Sequence, residues 1–328
     1  MTKLGNTINK FHDITENNAV NIRDFRALSR SLVREFGMLN KQSNGSRFSP
    51  LQIHMMIETN QQPLGVTELA GRLCIDKASA SRALRSLVSA GAIETVDYPN
   101  DKRHNLHQLS KAGRKTLASI DADADDFMQA ALAQLDDDEL ASTTAALKKM
   151  TGALRSARRQ RETGLQVRPI ATRDDAAMAG IIRGVFREYG MDNMEGVSLH
   201  DPDLDRLTGL YRDNGGKYWV LEQAGRVVGG VGIAPLAGGD PGYCELQKLF
   251  FTPGVRGLGM ARYMVVQALK AARAAGYRYC YLETTEQLKE AIGLYSALGF
   301  TLLTEKRGNT GHHGCNVRML KNLQREES

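Results

Sequence analysis

A strand-like run from Cys244 to Phe251 and a helix-like run from Tyr263 to Ala275 are joined by Val255-Arg256-Gly257-Leu258-Gly259-Met260-Ala261. That passage constrains the chain more than any other stretch. Glycines at 257 and 259 let the backbone bend tightly and bring several N–H groups within reach of a ligand, while the helix behind them directs its positive dipole end at the same spot. The arrangement suits a pyrophosphate. Tight turns also use glycine for steric reasons alone, so the loop by itself leaves both readings open.

With 328 residues and 42% apolar content, the chain is long enough for two domains with ordinary cores. Its first residues, MTKLGNTINKFHD, lack the apolar centre of a signal peptide, and no later stretch reads as a membrane span, so a cytoplasmic protein is expected. Cys74, Cys244, Cys280 and Cys315 lie far apart, with no C-x-x-C pair and no histidine at metal-ligand spacing. Four ordinary thiols in a reducing compartment, and no metal site, are expected.

The net charge of +6 is unevenly spread: from Arg72 to Lys115 nine basic residues stand against four acidic ones, whereas Asp121 to Glu139 carries only acids. The basic stretch suggests a polyanion partner. Within it Val66, Leu69, Ala70 and Leu73 repeat at helical spacing and predict a short helix with Thr67 as its cap. After Cys74-Ile75-Asp76 the pattern restarts. Ala80, Ala83, Leu84, Leu87 and Val88 form the apolar stripe of a second helix closed by Gly91, and its open face carries Lys77, Ser79, Ser81, Arg82 and Arg85. Ala92 to Val96 and Asn105 to Leu109 then read as two strands joined by turn chemistry at Tyr98-Pro99-Asn100-Asp101-Lys102, a hairpin with Lys102 and Arg103 at its tip. Singly, each basic residue reads as solvated surface charge; together, two short helices and a hairpin are what insertion into a major groove requires.

Asp101-x-Arg103-x-x-x-x-x-Leu109-Ser110-x-x-Gly113 resembles the wing signature of the MarR family of winged-helix repressors. Long helices at roughly Ile22 to Met38 and Leu117 to Arg159, with a break at Asp136, match that family's dimerisation elements. The resemblance implies a homodimer on a near-palindromic double-stranded DNA operator. Ser79, Ser81, Arg82 and Arg85 would meet base edges or phosphates, Arg103 a minor groove, and Lys77 and Lys102 would lie beside them.

Arg256-x-x-Gly259-x-Ala261 resembles the Q/R-x-x-G-x-G/A signature of the GNAT superfamily, the acetyl-CoA-dependent N-acetyltransferases. Leu249 to Gly259 is similar to that family's strand-to-loop passage, and Ala291-Ile292-Gly293-Leu294-Tyr295-Ser296-Ala297-Leu298-Gly299-Phe300 to its A-x-x-L-Y-x-x-x-G-F element. The resemblance covers about residues 165–322. It implies acetyl-CoA held along Leu249, Phe250, Phe251, Val255, Arg256, Gly257, Leu258, Gly259, Met260 and Ala261. It also implies Tyr295 as the acid that meets the leaving thiolate, Glu245 as general base, and an oxyanion donor among the backbone N–H groups near Leu249 or Phe250. Plainer readings stand beside these: Tyr295 as a packing tyrosine, Glu245 as a carboxylate paired with a nearby cation. One position departs from the pattern, since Leu288 stands where an asparagine often holds the pantetheine arm. His312 and His313 are expected at a flexible loop tip, and Arg183, Glu188 and the Met191 to His200 loop beside the acceptor.

The expected architecture is multidomain. An α-rich winged helix-turn-helix (α+β) for DNA binding and dimerisation spans 1–160, and an α/β GNAT fold with a mixed central sheet spans 165–322, its first helix opened by a Thr172-x-x-Asp175 capping box. The expected function is a DNA-binding transcriptional regulator fused to an acetyltransferase for a small amine, with no membrane partner. Two alternatives are a transcription factor whose second domain only senses acyl-CoA or another effector, and a protein-lysine acetyltransferase. The presence of both Tyr295 and Glu245 favours catalysis.

Overall fold

The computed structural model describes residues 21–42, 46–96 and 105–324. One compact unit is Asn18–Thr144 and the other takes in Ala145–Ser328, so the division between them falls inside a helix.

The amino-terminal unit runs α1 (Ile22–Glu35), α2 (Pro50–Gln61), α3 (Val66–Leu73), α4 (Lys77–Ser89), β1 (Ile93–Val96), β2 (Leu106–Leu109) and α5 (Lys111–Leu132). Ser49 opens α2 through a reciprocal capping box with Gln52. Helix α3 begins after Gly65 with no side-chain cap, so Thr67 lies inside the helix and does not cap it. Asp76 caps α4, its carboxylate accepting from the Ser79 N–H at 2.8 Å. Strands β1 and β2 pair antiparallel from Ile93↔Leu109 to Val96↔Leu106. Gly113 of the wing signature sits where a Cβ would fall 2.0 Å from the Ala92 carbonyl oxygen, so α5 reaches the hairpin only because that side chain is missing. Met55, Met56, Leu69, Leu87, Ile93 and Leu109 form the dry centre of this unit. The hairpin tip, including Lys102 and Arg103, lies outside the described residues.

Helix α6 (Asp137–Thr163) leads into the carboxy-terminal elements: β3 (Leu165–Pro169), α7 (Asp175–Glu188), α8 (Leu207–Asp213), β4 (Lys217–Gln223), β5 (Arg226–Pro235), β6 (Tyr243–Phe251), α9 (Met260–Ala274), β7 (Tyr279–Thr284), α10 (Lys289–Ala297), β8 (Thr301–Leu303) and β9 (Val317–Asn322). The entry to α7 is organised by Asp174 and not by the expected Thr172–Asp175 pair. Asp174 accepts from the Ala171 N–H at 2.8 Å and is gripped by the Arg168 guanidinium, whereas Asp175 accepts from the Thr208 N–H and hydroxyl.

Seven strands form one mixed sheet in the order β3-β4-β5-β6-β7-β9-β8, with β6–β7 the parallel pair. Two cores cover it: Met264, Val265, Ala268 and Leu269 of α9 belong to one, and Met178, Ile182, Val185 and Phe186 of α7 to the other. Burying both faces is why the central strands read as nearly continuous apolar runs.

The pairing of β6 with β7 stops at Glu245↔Tyr281, although β6 continues to Phe251. A cleft opens where the two strands part.

Candidate functional site

Strand β6 carries a bulge beside the cleft. Its partners on β5 jump from Gly230↔Phe250 to Gly232↔Gln247, so Lys248 and Leu249 together face one residue. Lys248 takes a positive φ of 52°, and the Tyr218 hydroxyl donates to its carbonyl at 2.9 Å, which secures the distortion. A bulge of this kind leaves a residue out of the ladder and re-aims its N–H, as an oxyanion donor near Leu249 or Phe250 requires.

Glu245, Lys248, Leu249, Phe250, Glu283, Tyr295, His312 and Cys315 line this one cleft. The structure thus brings together the two residues singled out for proton transfer, Glu245 on β6 and Tyr295 on α10. Glu245 is 2% exposed, and burial pushes its carboxyl above the ordinary glutamate range. Gln247 Nε2 donates to it at 2.7 Å, while the Gln247 carbonyl oxygen accepts from the Tyr211 hydroxyl at 2.9 Å. Among the described residues no lysine or arginine forms an ion pair with it, although the charge of Lys248 acts on it. Tyr295 packs against Phe300, and burial likewise raises its phenol, which keeps it protonated.

A second group of side chains at the cleft is built around Asp201 and Lys248, which sequence reasoning missed, together with His312. The Lys248 ammonium forms an ion pair with Asp201, and His312 Nε2 lies 3.1 Å from the same carboxylate. Burial works against the ionised Asp201, yet the His312 hydrogen bond and the Lys248 charge overcome it and hold the acid below its usual range. An ionised carboxylate can only accept, so Nε2 carries the hydrogen. His312 is therefore a packed member of the site and not a flexible loop tip, because Asp201, 111 residues earlier, anchors it. Glu283 is held by the hydroxyls of Tyr281 and Thr310.

Two expected acceptor contacts are engaged elsewhere. Arg183 is forked onto Asp205 at 2.8 and 2.6 Å, and Glu188 is forked onto Arg256 at 2.6 and 2.7 Å. From the 191–200 loop, Ser198 borders the cleft, and Met191 receives the Thr285 hydroxyl. A larger concavity of about 400 Å³ is walled by Val167, Ile170, Tyr211, Arg212 and Trp219. It contains no carboxylate or histidine, whereas the smaller cleft at the strand divergence holds Glu245, Glu283 and His312.

The glycine loop follows β6 directly. Gly257 and Gly259 take φ of 72° and 81°, and α9 begins at Gly259 with no side-chain cap, leaving its first N–H groups for an anion. That geometry fits a pyrophosphate. The Arg256 guanidinium is engaged by Glu188 and by the Phe251 carbonyl, so it ties the loop to α7. Val255 and Met260 are buried, Leu258 and Ala261 are partly buried against the core, and Phe251 lies at the strand end.

On the amino-terminal unit, Lys77, Arg82 and Arg85 are exposed along α4, with Ser79 and Ser81 half-buried between them. The Ser79 hydroxyl accepts from Arg82 at 2.9 Å, which holds that guanidinium against the helix. Cys244, Cys280 and Cys315 are buried free thiols, and Cys74 is exposed. Among the described residues no group of histidines, cysteines and carboxylates is arranged to hold a metal ion, and no helix is long and apolar enough to cross a membrane.

The model of the MarR family matches residues 51–104, and that of the acetyltransferase (GNAT) family matches residues 182–300. The chain is 47% identical over 157 residues to the N-acetyltransferase YjgM of Escherichia coli (strain K12), a stretch that is 48% of this chain and 94% of that protein. It is 28% identical to an N-acetyltransferase of Schizosaccharomyces pombe over 39% of this chain and 75% of that one. A GNAT-family acetyltransferase structure from Staphylococcus aureus Mu50 matches 49% of this chain and 99% of its own at 19% identity, with a TM-score of 0.42. The chain belongs to the acetyltransferase (GNAT) family, its catalytic domain fused behind a MarR-family DNA-binding regulator domain.

Proposed function

We propose that the carboxy-terminal unit transfers acetyl from acetyl-CoA to the nitrogen of a small amine, and that the amino-terminal unit acts as a homodimer on a near-palindromic double-stranded DNA site. The observation that carries the enzymatic half is the meeting of Glu245, the Lys248–Leu249 bulge and Tyr295 on one cleft next to the glycine loop. Acetyl-CoA supplies the thioester. An amine attacks only when neutral, so a base must take its proton; Glu245, raised by burial, is a better base than an exposed glutamate. The bulge offers a backbone N–H to the developing oxyanion. Tyr295 keeps its proton until a thiolate needs it. Glu245 and Glu283, both buried, give the cleft the negative character that a cationic amine complements.

Support for the dimer comes from α1, which has no buried residue and shows Ile22, Leu28 and Leu32 to solvent at 69%, 70% and 45%. An apolar row of that extent belongs in an interface. Exposed Arg82 and Arg85 on α4 support the DNA reading.

The test is turnover against free amines, amino acids, antibiotics and lysine peptides, with thiol detection of released CoA. Release with a free amine, reduced about 10- to 1,000-fold in Tyr295→Phe at unchanged CoA affinity, supports the proposal. Release with peptides alone points to a protein-lysine acetyltransferase. Tight CoA binding with no release for any acceptor points to a sensor.

A further inference from the structure

The carboxy-terminal turns of α6 precede the catalytic fold, yet they lie directly against its donor loop. Arg159 Nη1 donates to the Gly257 carbonyl at 2.9 Å, and the Ser156 hydroxyl lies 3.4 Å from the Leu258 carbonyl oxygen. The approach is close: a Cβ at position 259 would fall 2.6 Å from Ser156 Oγ. Neither contact is explained by packing of the sheet, and neither residue lies within 165–322.

We propose that Ser156 and Arg159 are positioning residues for acetyl-CoA, and that the end of α6 is the back wall of the pyrophosphate cradle. In a trans peptide the carbonyl and the following N–H point in opposite directions. Fixing the Gly257 and Leu258 carbonyls toward α6 therefore turns the Leu258 and Gly259 N–H groups away from it, ahead of the uncapped start of α9. The loop needs such a restraint because its two positive-φ glycines have no side chain to hold their peptide planes. Ordering those planes before the ligand arrives removes an entropic cost from binding. The Arg159 guanidinium also places a positive charge beside the loop, whereas that of Arg256 is engaged by Glu188. Helix α6 starts at Asp137, within the amino-terminal unit, so the donor loop is shaped by a helix that both halves of the chain share.

The inference requires only that the glycine loop binds CoA and does not depend on which amine is acetylated. Full-length Ser156→Ala, Arg159→Ala and the double variant are titrated calorimetrically with free CoA, with circular dichroism and thermal melting recorded on each. The double variant should bind CoA about tenfold more weakly at an unchanged melting temperature, and Arg159→Lys, which keeps a donor and a charge, should recover most of the affinity. Phosphorus NMR of bound CoA supplies a signature that general destabilisation would not produce: the two pyrophosphate resonances should move in the double variant while the 3′-phosphate resonance stays. Parental affinity in the double variant, or equal movement of all three resonances, overturns the proposal. Failure of the parent itself to bind CoA would instead remove the donor-site assignment.

Discussion

The ammonium of Lys248 is paired with the carboxylate of Asp201 at the point where β6 bulges, and the lysine side chain is only 3% exposed. A charge so deeply placed survives on its partners. Removing Asp201 strands it.

Asp201→Ala should therefore cost about 3–5 kcal/mol, since breaking a buried pair leaves an uncompensated charge, and should lower the melting temperature by on the order of 10 °C. The dependence on pH follows from the depressed acid: its contribution is present above the ordinary aspartate value of 3.8 and is lost as pH falls below that toward the folded value. Melting curves should show parent and variant converging in acid. A constant gap from pH 7 to pH 3 would mean that the Asp201 charge contributes nothing.

Glu245→Gln should reduce turnover and raise stability. Its folded value is raised, so the group favours the folded state below the ordinary glutamate value of 4.5 and loses that contribution as pH rises through the folded value. An amide escapes that loss. Turnover should fall about 10²- to 10⁴-fold, most severely at lower pH where the amine is charged, while melting at pH 8 shifts upward. Unchanged turnover with unchanged melting would deny the residue both roles.

Arg256→Glu should abolish CoA binding, because it sets two carboxylates face to face where Arg256 and Glu188 now interlock and frees the loop from α7. The charge-swapped pair Glu188→Arg with Arg256→Glu separates two causes. If Arg256 acts by tethering the loop, calorimetry should find CoA binding partly restored; if it touches phosphate directly, the swap should bind no better than the single variant.

On DNA, Arg82→Ala should weaken binding and lower the salt slope of the dimer by about two, one phosphate contact per subunit at roughly 0.9 each. The recognition helices of a dimer would meet groove faces about 10 bp apart, so footprints should show two-fold symmetry. A monomer by light scattering at assay concentrations would contradict this reading.

Much of the protein was legible locally. The helix periods of α3 and α4, the hairpin and the glycine loop are written in spacings of a few residues, because i, i+4 repeats and positive-φ turns are decided by neighbours in the chain. Glu245 and Tyr295 were reached through motif likeness, and the structure sets them on one cleft. Asp201 and Lys248 were not reached, and His312 was reached only as a loop residue without its partner. Ion pairs 47 and 111 residues apart leave no periodicity, and a lysine in a strand looks solvent-facing until the strand is seen to bulge inward. The same limit hid the partnership of Arg256 with Glu188, which spans 68 residues. Sequence by itself determined which segments become helices, strands and turns, since those depend on backbone geometry and hydrophobic period. Which charges meet in the cleft, and which end of α6 backs the donor loop, only the tertiary structure decided, because burial and long-range electrostatics exist only once distant segments are packed together.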